Sequence, residues 1–287
     1  FNEVGVKPEN LSPEDIANIK NGKKTGYEVV FIRPRDGRIQ ADDVIGAVNQ
    51  DTLLVSVMAV NNETGERLPV EEMFAGVKQK NPDVLVHCDC VQGFGKILFS
   101  LNRIKADMVT MSSHKIHGPK GCGAIYVREG VNLRPLCFGG SQESRVRPGT
   151  ENVPGIAAFG HASLKALRDI RENWEHVKEL NLYLRDCLRQ MEDVVINSPS
   201  GAVPYVLNIS VLPFATEELL HEMRMRGIYL SGSSACEKGA RSHVIRAMGI
   251  EGPRADSVVR IGLGKKNTRE EVTVLVETLN ELIKRGK

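Results

Sequence analysis

Short apolar runs alternate with longer amphipathic stretches along the first half of the chain. Four of these runs are rich in branched apolar residues and lie at 53–58, 84–88, 108–111 and 124–127. Near-continuous apolar strands are typical of a sheet covered on both faces, and their alternation with helical patterns predicts crossover connections. The pattern therefore predicts an α/β fold with a mainly parallel sheet and crossover helices.

A helical period replaces this alternation in the second half of the chain. Apolar residues recur mostly every three or four positions over 156–191, which predicts a long amphipathic helix with at most one break. An apolar run at 206–211 predicts a strand beyond it. We therefore predict two domains, a large one over residues 1–159 and a smaller α+β domain over 160–287.

Polar residues at expected helix starts mark where several helices begin. Thr216 stands before a helical pattern and is predicted to cap it, as is Ser12 near the start of the chain. Thr268 and Glu271 have the three-residue spacing of a capping box and predict the start of the last helix. These residues set the expected boundaries of the helices.

Composition and charge limit the kinds of molecule that the protein is expected to bind. The 287 residues include 26% charged ones that balance to a net charge of +2, which gives no electrostatic reason to expect nucleic acid or a membrane surface as partner. The longest apolar run, 53–60, is far shorter than the roughly 20 residues of a membrane-spanning helix, and no leader sequence is evident. We expect a soluble, cytoplasmic protein, and small polar substrates remain open.

Six cysteines are spread through the chain without the dense spacing of a disulfide scaffold, so reduced thiols are expected. Cys88 and Cys90 form a Cys-x-Cys pair. Alternation along a strand sends both side chains to one face, and no second pair follows to complete a tetrahedral site. We therefore predict no metal centre.

The sequence S-S-H-K-I-H-G-P-K-G at 112–121 places one amine between small hydroxyls and a glycine turn, directly after an apolar strand. A lysine becomes a nucleophile when a partly dry site or a cationic neighbour lowers its pKa. Lys115 is therefore our candidate for a Schiff base with an aldehyde.

Residues around Lys115 and after the preceding strand match an aldehyde cofactor that stores electrons in its ring. Asp89, at a strand end, can keep a ring nitrogen protonated, and Gln92 can donate a hydrogen bond to a ring hydroxyl. Ser112 and His114 flank the lysine and can hold a phosphate through a hydroxyl and an imidazole. Each residue is weak evidence alone, whereas the spaced combination is specific.

Four blocks of sequence carry a resemblance to a known family. They are V-S-V-M-A-V-N-N-E-T-G at 55–65, H-C-D-C-V-Q at 87–92, the lysine segment at 112–121, and R-P-G-T-E-N at 147–152. In this order and spacing the chain resembles the cysteine desulfurases, pyridoxal-phosphate enzymes of aminotransferase class V with fold type I. Matching blocks run from about Tyr27 almost to the carboxyl terminus.

The resemblance implies roles for particular residues. Lys115 would form the Schiff base, Asp89 would pair with the pyridine nitrogen, and Gln92 would contact the ring hydroxyl. Asn62 would lie near the ring, and Ser112 and His114 would bind the phosphate. Thr150 would reach the phosphate bound by a partner subunit, which implies a homodimer with shared sites.

The reaction is implied by two further matches. Cys236, after the small residues of S-G-S-S-A at 231–235, resembles the family's persulfide-forming cysteine, and small neighbours leave a thiol room to approach a substrate. Arg260 matches the arginine that binds the substrate carboxylate, for which its planar fork is suited. L-cysteine would be converted to L-alanine, and the sulfur on Cys236 would pass to an acceptor such as an iron–sulfur assembly scaffold or a tRNA thiolation enzyme.

The chain also departs from the family pattern. Between Phe1 and Lys24 we find neither the family's phosphate loop nor its ring-stacking histidine, so the amino-terminal part of the family fold is expected to be missing. A helix-terminus phosphate site is a strong anion binder, and its loss predicts weak cofactor binding by the isolated chain. Two alternatives therefore stay open: a related class V enzyme such as selenocysteine lyase, and a non-catalytic remnant that acts as a binding module.

Overall fold

The structure, a computed structural model, describes residues 28–35, 37–135, 137–232 and 242–285, and the backbone of residues 3–4. The chain divides into two compact units. The first comprises 1–33, 39–59 and 68–168, and the second comprises 34–38, 60–67 and 169–287. The predicted domain boundary after residue 159 stays a prediction, and the helix start predicted at Ser12 lies outside the described residues.

The first unit is built on a six-stranded sheet. Its strands are β1 (Glu3–Val4), β2 (Val30–Phe31), β3 (Leu54–Met58), β4 (Leu85–Asp89), β5 (Met108–Ser112) and β6 (Gly123–Val127), in the order β2-β1-β3-β4-β5-β6. The apolar runs of the sequence become β3 to β6. Alternate side chains of β3 and β4 are buried, and the first two of β5 are buried as well. The α/β fold class is confirmed.

The three central strands are parallel and the flanking strands are antiparallel. β3 pairs with β4, and β4 with β5, in parallel register, with Met58 opposite Asp89 and Asp89 opposite Thr110. β6 instead runs antiparallel to β5. The connection over 113–122 is shorter than the dozen or so residues that a parallel crossover needs, so the chain turns back as a hairpin.

Helices of the first unit connect or flank these strands: α1 (Ala41–Ala47), α2 (Val70–Lys80), α3 (Leu101–Ile104) and α4 (Val153–Arg168). α1 packs closely on α2, because a Cβ on Gly76 would lie 2.2 Å from Cδ1 of Ile45. Lys80 Nζ donates to the carbonyl oxygens of Ile45 and Gly46, which satisfies the end of α1. Met73, Phe74 and Val77 of α2 are fully buried.

The second unit is an α+β structure around a four-stranded antiparallel sheet. Its strands are β7 (Val194–Ile196), β8 (Val206–Val211), β9 (Ser231–Gly232) and β10 (Val258–Gly262), in the order β7-β8-β10-β9. Its helices are α5 (Ile170–Leu188), α6 (Thr216–Met225), α7 (His243–Ala247), α8 (Gly252–Asp256) and α9 (Arg269–Arg285). The predicted strand at 206–211 and the helix after it are both present.

Helix boundaries follow the sequence signals in most places. The helical pattern over 156–191 is broken once, at Asp169 between α4 and α5. Thr268 and Glu271 form the predicted capping box: the Thr268 N–H donates to Oε2 of Glu271, and the Glu271 N–H donates to Oγ1 of Thr268. The prediction for Thr216 is wrong, because Ala215 is the N-cap and Thr216 Oγ1 donates to the carbonyl oxygens of Asp256 and Val258.

A polar network is buried in the sheet of the second unit. Asn208, on β8, is fully buried, and its Oδ1 accepts a hydrogen bond of 2.9 Å from Nδ2 of Asn197. The same Nδ2 donates to Oγ of Ser210, and the Asn208 N–H donates to Oγ of Ser198. Arg254 Nε donates to Oδ1 of Asn197. Because these groups satisfy one another, their burial carries little penalty.

Candidate active site

The candidate lysine lies in a tight turn at the end of β5. Residues Ser113–Ile116 form one 3₁₀ turn, which ends at His117 with a left-handed φ of 66°. The Ser113 N–H donates to the Cys122 carbonyl, and the Gly118 N–H donates to the Ser113 carbonyl. A Cβ on Gly118 would lie 2.1 Å from Oγ of Ser113, so the turn accepts no side chain there. Lys115 is thereby held on a fixed backbone.

Lys115 is half-buried, and within the described part of the chain its ammonium group makes no hydrogen bond or ion pair. Most partly buried lysines direct the charged end to water or to a carboxylate. An amine that is positioned by a rigid turn and not consumed by a neighbour is available to a ligand.

The two residues predicted to hold a phosphate contact each other. Oγ of Ser112 and Nδ1 of His114 are 2.7 Å apart; Ser112 is half-buried and His114 is exposed. This hydrogen bond uses one ring nitrogen of His114 and leaves Nε2 to face a ligand. The hydroxyl of Ser112 has further bonding capacity as well.

Asp89 and Gln92 lie at the carboxyl end of β4, beside the end of β5. Oδ1 of Asp89 accepts a 2.8 Å hydrogen bond from the Val91 N–H, and its second oxygen has no partner among the described residues. Oε1 of Gln92 accepts a hydrogen bond of 3.2 Å from Nζ of Lys96. The side-chain amide hydrogens of Gln92 therefore remain able to donate, which is the capacity that the sequence prediction requires.

A histidine behind Asp89 joins all three central strands, and the sequence prediction gave it no role. Nδ1 of His87 is 2.8 Å from Oγ of Ser56 on β3, and Nε2 is 3.2 Å from Oγ1 of Thr110 on β5. Burial lowers the pKa of His87, and the nearby Asp89 carboxylate opposes this only in part, so the ring is neutral near pH 7. Polar residues on three neighbouring apolar strands are the signal that could have revealed this network.

Thr150 lies in an exposed loop of the first unit. Its carbonyl oxygen is 3.5 Å from Nη1 of Arg147, and its side chain is open to solvent. The three residues from Glu143 to Arg145 earlier in this loop all have left-handed φ angles, which are uncommon for residues with a Cβ. The first unit thus provides Lys115, Asp89, Gln92, Ser112, His114 and Thr150.

The second unit provides Asn62 and Arg260, both half-buried. Nη1 of Arg260 donates a 2.9 Å hydrogen bond to the carbonyl oxygen of Asn62, so the two predicted residues are in direct contact. Arg260 lies on β10, opposite Ser231 of β9. Residues 233–241, which include Cys236, lie outside the described residues.

The five described cysteines are all free thiols. Cys88 and Cys90 are buried with their sulfur atoms 3.5 Å apart. The hydrogen bond with Cys90 and burial both raise the pKa of the Cys88 thiol, which keeps it protonated. Alternation along β4 places Cys88 on the face opposite to Asp89.

The donor set at the end of β4 and β5 matches the chemistry of pyridoxal phosphate. An available amine can condense with its aldehyde, and an open carboxylate oxygen can pair with its ring nitrogen. The hydroxyl of Ser112 and the imidazole of His114 are donors for a phosphate. Lys115, Asp89, Gln92, Ser112 and His114 therefore fit this cofactor.

Comparison with known proteins assigns the chain to a family. The model of aminotransferase class V matches residues 15–275, and the chain belongs to this family. A cysteine desulfurase IscS of Dictyoglomus turgidum is 34% identical over 268 residues, which are 92% of this chain and 68% of that protein. The mitochondrial cysteine desulfurase of Saccharomyces cerevisiae is 39% identical over 267 residues, which are 91% of this chain and 53% of that protein.

Solved structures give the same relationship. A protein described as NifS-like is 36% identical and superimposes with a TM-score of 0.86, over 94% of this chain and 72% of that chain. The resemblance to the cysteine desulfurases and the fold class inferred from it are thereby confirmed. The chain spans 53% to 68% of the length of the two curated relatives named above.

None of the helices in the described part of the chain has the length and apolar character needed to cross a membrane.

Proposed function

We propose that the chain acts as a pyridoxal-phosphate-dependent cysteine desulfurase, which converts L-cysteine to L-alanine and receives the sulfur on Cys236. One observation carries the proposal: a rigid turn presents the amine of Lys115 at the sheet edge where Asp89 lies, and among the described residues neither this amine nor the second Asp89 oxygen has a partner. The names of the relatives, which are 34% to 39% identical, support the same activity.

Residues of the first unit would hold the cofactor. Pyridoxal phosphate, when bound, supplies an aldehyde for the substrate amine and a ring that withdraws electrons from the α-carbon. Lys115 would hold the cofactor at its aldehyde and would act as the base that takes the α-proton of the substrate. Asp89 would keep the ring nitrogen protonated, Gln92 would donate to the ring hydroxyl, and Ser112 and His114 would bind the phosphate.

Residues of the second unit would handle the substrate and its sulfur. Arg260 binds the carboxylate of L-cysteine, and Asn62 lies beside it. The thiolate of Cys236 attacks the substrate sulfur, so a sulfur–sulfur bond forms as the carbon–sulfur bond breaks. The β-carbon of the substrate takes up a proton and becomes the methyl group of alanine, and a persulfide is left on Cys236.

A test of the lysine uses two variants of the same turn. We expect added pyridoxal phosphate to give the wild-type chain a visible absorption band, and L-cysteine with a reducing thiol to yield alanine. Lys115→Ala should lose the band and at least about a thousandfold in alanine formation, because the amine that would react with the aldehyde is removed. Lys120→Ala, at an exposed position nearby, should keep both. A band that survives in Lys115→Ala would sink the assignment.

The thiol is tested by its own pair of variants. Cys236→Ala should keep the visible band but release no sulfide, whereas Cys137→Ala, which removes an exposed thiol, should behave like the wild type. Faster alanine release from selenocysteine than from cysteine, with Cys236 dispensable, would indicate a selenocysteine lyase instead. A chain that never acquires the band would be a binding module.

We also propose that two copies of the chain share their sites. On α4, Val153, Ile156, Leu164 and Leu167 are between 49% and 73% exposed. Exposed apolar side chains on one helix mark a surface that another protein covers. Thr150 lies just before this helix and would bind the phosphate in the partner subunit.

Light scattering of the purified protein tests the dimer. We expect twice the monomer mass for the wild type and the monomer mass for Leu164→Glu, since a charge cannot be buried unpaired in an apolar interface. Val274→Glu, a change at an exposed apolar residue of α9, should remain dimeric. A monomeric wild type would contradict the proposal.

The persulfide must pass to another molecule for turnover to continue. We propose a protein acceptor, an iron–sulfur scaffold or a tRNA thiolation enzyme, and we place the reaction in the cytoplasm. Free cysteines at all five described positions support a reducing compartment. Transfer of radioactive sulfur from labelled cysteine to a purified scaffold protein, lost in Cys236→Ala, is the expected result.

A further inference from the structure

A buried carboxylate in the second unit has no role in the proposed chemistry. Glu63 is only 2% exposed, and its Oε2 accepts a 2.7 Å hydrogen bond from Oγ of Ser242, 179 positions away in the sequence. Burying a carboxylate is costly unless hydrogen bonds compensate it. The hydrogen bond from Ser242 is one of the contacts that compensate for the burial of this carboxylate.

Ser242 is the residue at which the described chain resumes after 233–241. It is 2% exposed, and its hydroxyl is fully used: it donates to Glu63 and accepts from the N–H groups of Val244 and Ile245. These acceptor bonds make Ser242 the N-cap of α7. Ile245 is buried and anchors the helix in the unit. Glu63 thus fixes Ser242, the first described residue after 233–241, at the start of α7.

The strand just before 233–241, β9, is linked through Arg260 to Asn62, the residue next to Glu63. Gly232 and Ser231 pair with β10, where Ser231 lies opposite Arg260. Nη1 of Arg260 in turn donates to the carbonyl oxygen of Asn62. Two consecutive residues, Asn62 and Glu63, therefore hold the elements on both sides of 233–241.

The turn that carries these two residues is itself rigid. Oδ1 of Asn61 accepts hydrogen bonds from the N–H groups of Glu63 and Thr64. Nδ2 of Asn208 donates to the Glu63 carbonyl, and Oγ of Ser198 donates to the Thr64 carbonyl. Four hydrogen bonds fix the backbone of this turn, so Asn62 and Glu63 are held at defined positions relative to the sheet of the second unit.

We propose that Glu63 is a positioning residue for sulfur transfer. Its carboxylate holds Ser242 at the start of α7, six residues after Cys236 in the sequence, while the adjacent Asn62 accepts a hydrogen bond from Arg260, which binds the substrate carboxylate. This inference rests on the proposed function. Glu63 does not touch the substrate, so its loss should slow transfer without weakening substrate binding.

The experiment combines kinetics with a readout that needs no cofactor. In the full chain without cofactor, Glu63→Ala should raise hydrogen exchange at the amides of Val244 and Ile245 at least about fivefold, because the cap loses its anchor. In the protein loaded with pyridoxal phosphate, it should lower kcat for alanine formation about tenfold to a hundredfold with KM and the visible band unchanged.

Matched variants separate positioning from general damage. Glu63→Gln keeps the size and an acceptor for Ser242 and should restore most of kcat. Glu66→Gln, a change to another acid of the same turn, should leave exchange and kcat unchanged. Ser242→Ala should reproduce the fall in kcat, and it serves as the test if Glu63→Ala does not fold.

The outcomes distinguish this inference from the proposed function. Unchanged exchange at Val244 and Ile245 in Glu63→Ala, or a kcat equal to that of the wild type, overturns the positioning role alone. A wild-type chain that carries the visible band but makes no alanine overturns the proposed function and the role of Glu63 in it.

Discussion

Two aspartates on the same pair of strands differ in how far their oxygens are satisfied. Asp107, just before β5, is fully buried; its carboxylate accepts hydrogen bonds from the Val86 N–H at 2.7 Å and Nε of Arg128 at 2.7 Å, and it pairs with Nζ of Lys78 at 2.8 Å. Asp89, at the other end of β4, receives one hydrogen bond, from the Val91 N–H. We call Asp107 the saturated acid, because both of its carboxylate oxygens are bonded, and Asp89 the open acid, because one of its oxygens has no partner among the described residues. A saturated acid stabilises the fold, whereas an open one is available to a ligand.

Removing the saturated acid should have the largest effect on stability. Asp107→Asn leaves Lys78 and Arg128 without a counter-charge and should lower the free energy of unfolding by about 3 kcal/mol, or somewhat less because both cations reach solvent. Urea unfolding followed by circular dichroism measures this change. Asp83→Asn, at an exposed position nearby, should change little; equal losses would remove the distinction between the two acids.

The buried network of the second unit extends the comparison to a neutral residue. Asn208→Ala removes the partner of Asn197 and a donor to the Glu63 carbonyl, so it should cost about 2 kcal/mol of unfolding free energy. Asn280→Ala, at an exposed position on α9, is the matched control and should cost nothing measurable by the same urea titration. A neutral outcome for Asn208→Ala would mean that water replaces its partners.

The saturated acid should also make stability depend on pH in the acid range. Burial alone raises the pKa of Asp107, but hydrogen bonds from Lys78, the Val86 N–H and Arg128 outweigh it and hold this pKa below its usual range. A carboxyl with a depressed pKa in the folded state stabilises above its unfolded pKa of about 3.9, and this contribution is lost as pH falls through the folded value. Urea midpoints at a series of pH values should therefore fall less steeply below pH about 4 in Asp107→Asn than in the wild type. Parallel curves would contradict the assignment.

The open acid should give the smallest effect on stability and a clear effect on ligand binding. Asp89→Asn removes a single hydrogen-bonded carboxylate and should change the unfolding free energy by less than about 0.5 kcal/mol. The same variant should bind pyridoxal phosphate more weakly, because an amide cannot balance a protonated ring nitrogen. Thermal unfolding with and without the cofactor measures both, and a loss as large as that of Asp107→Asn would show that Asp89 is structural.

Local sequence patterns predicted the elements that local interactions determine. The apolar runs became β3 to β6, and the capping box of Thr268 and Glu271 formed as expected, because its partners are three residues apart. Thr216 failed as a cap because its hydroxyl donates to carbonyls of 256 and 258, and no pattern near 216 reports those.

The motifs predicted the candidate site residues but not the hydrogen bonds between them. The sequence placed Asp89, Gln92 and Lys115 after apolar strands, which is where the structure has them. It did not predict that Ser112 and His114 bond to each other, or that His87 links three strands. The bond between Ser112 and His114 depends on the conformation of the turn at 113–116. The contacts of His87 depend on the register between strands, which a single sequence does not specify. The pair of Glu63 and Ser242 depends on the tertiary fold alone.

The sulfur atoms of Cys88 and Cys90 have a consequence for selectivity. Persulfides exchange readily with accessible thiolates, so a buried and protonated thiol competes poorly for labile sulfur. Enclosure within the sheet and a raised pKa make Cys88 a poor acceptor, although it adjoins the proposed cofactor acid in sequence. Burial on the face of β4 opposite to Asp89 would thereby keep Cys88 from taking up the sulfur that the proposed reaction delivers.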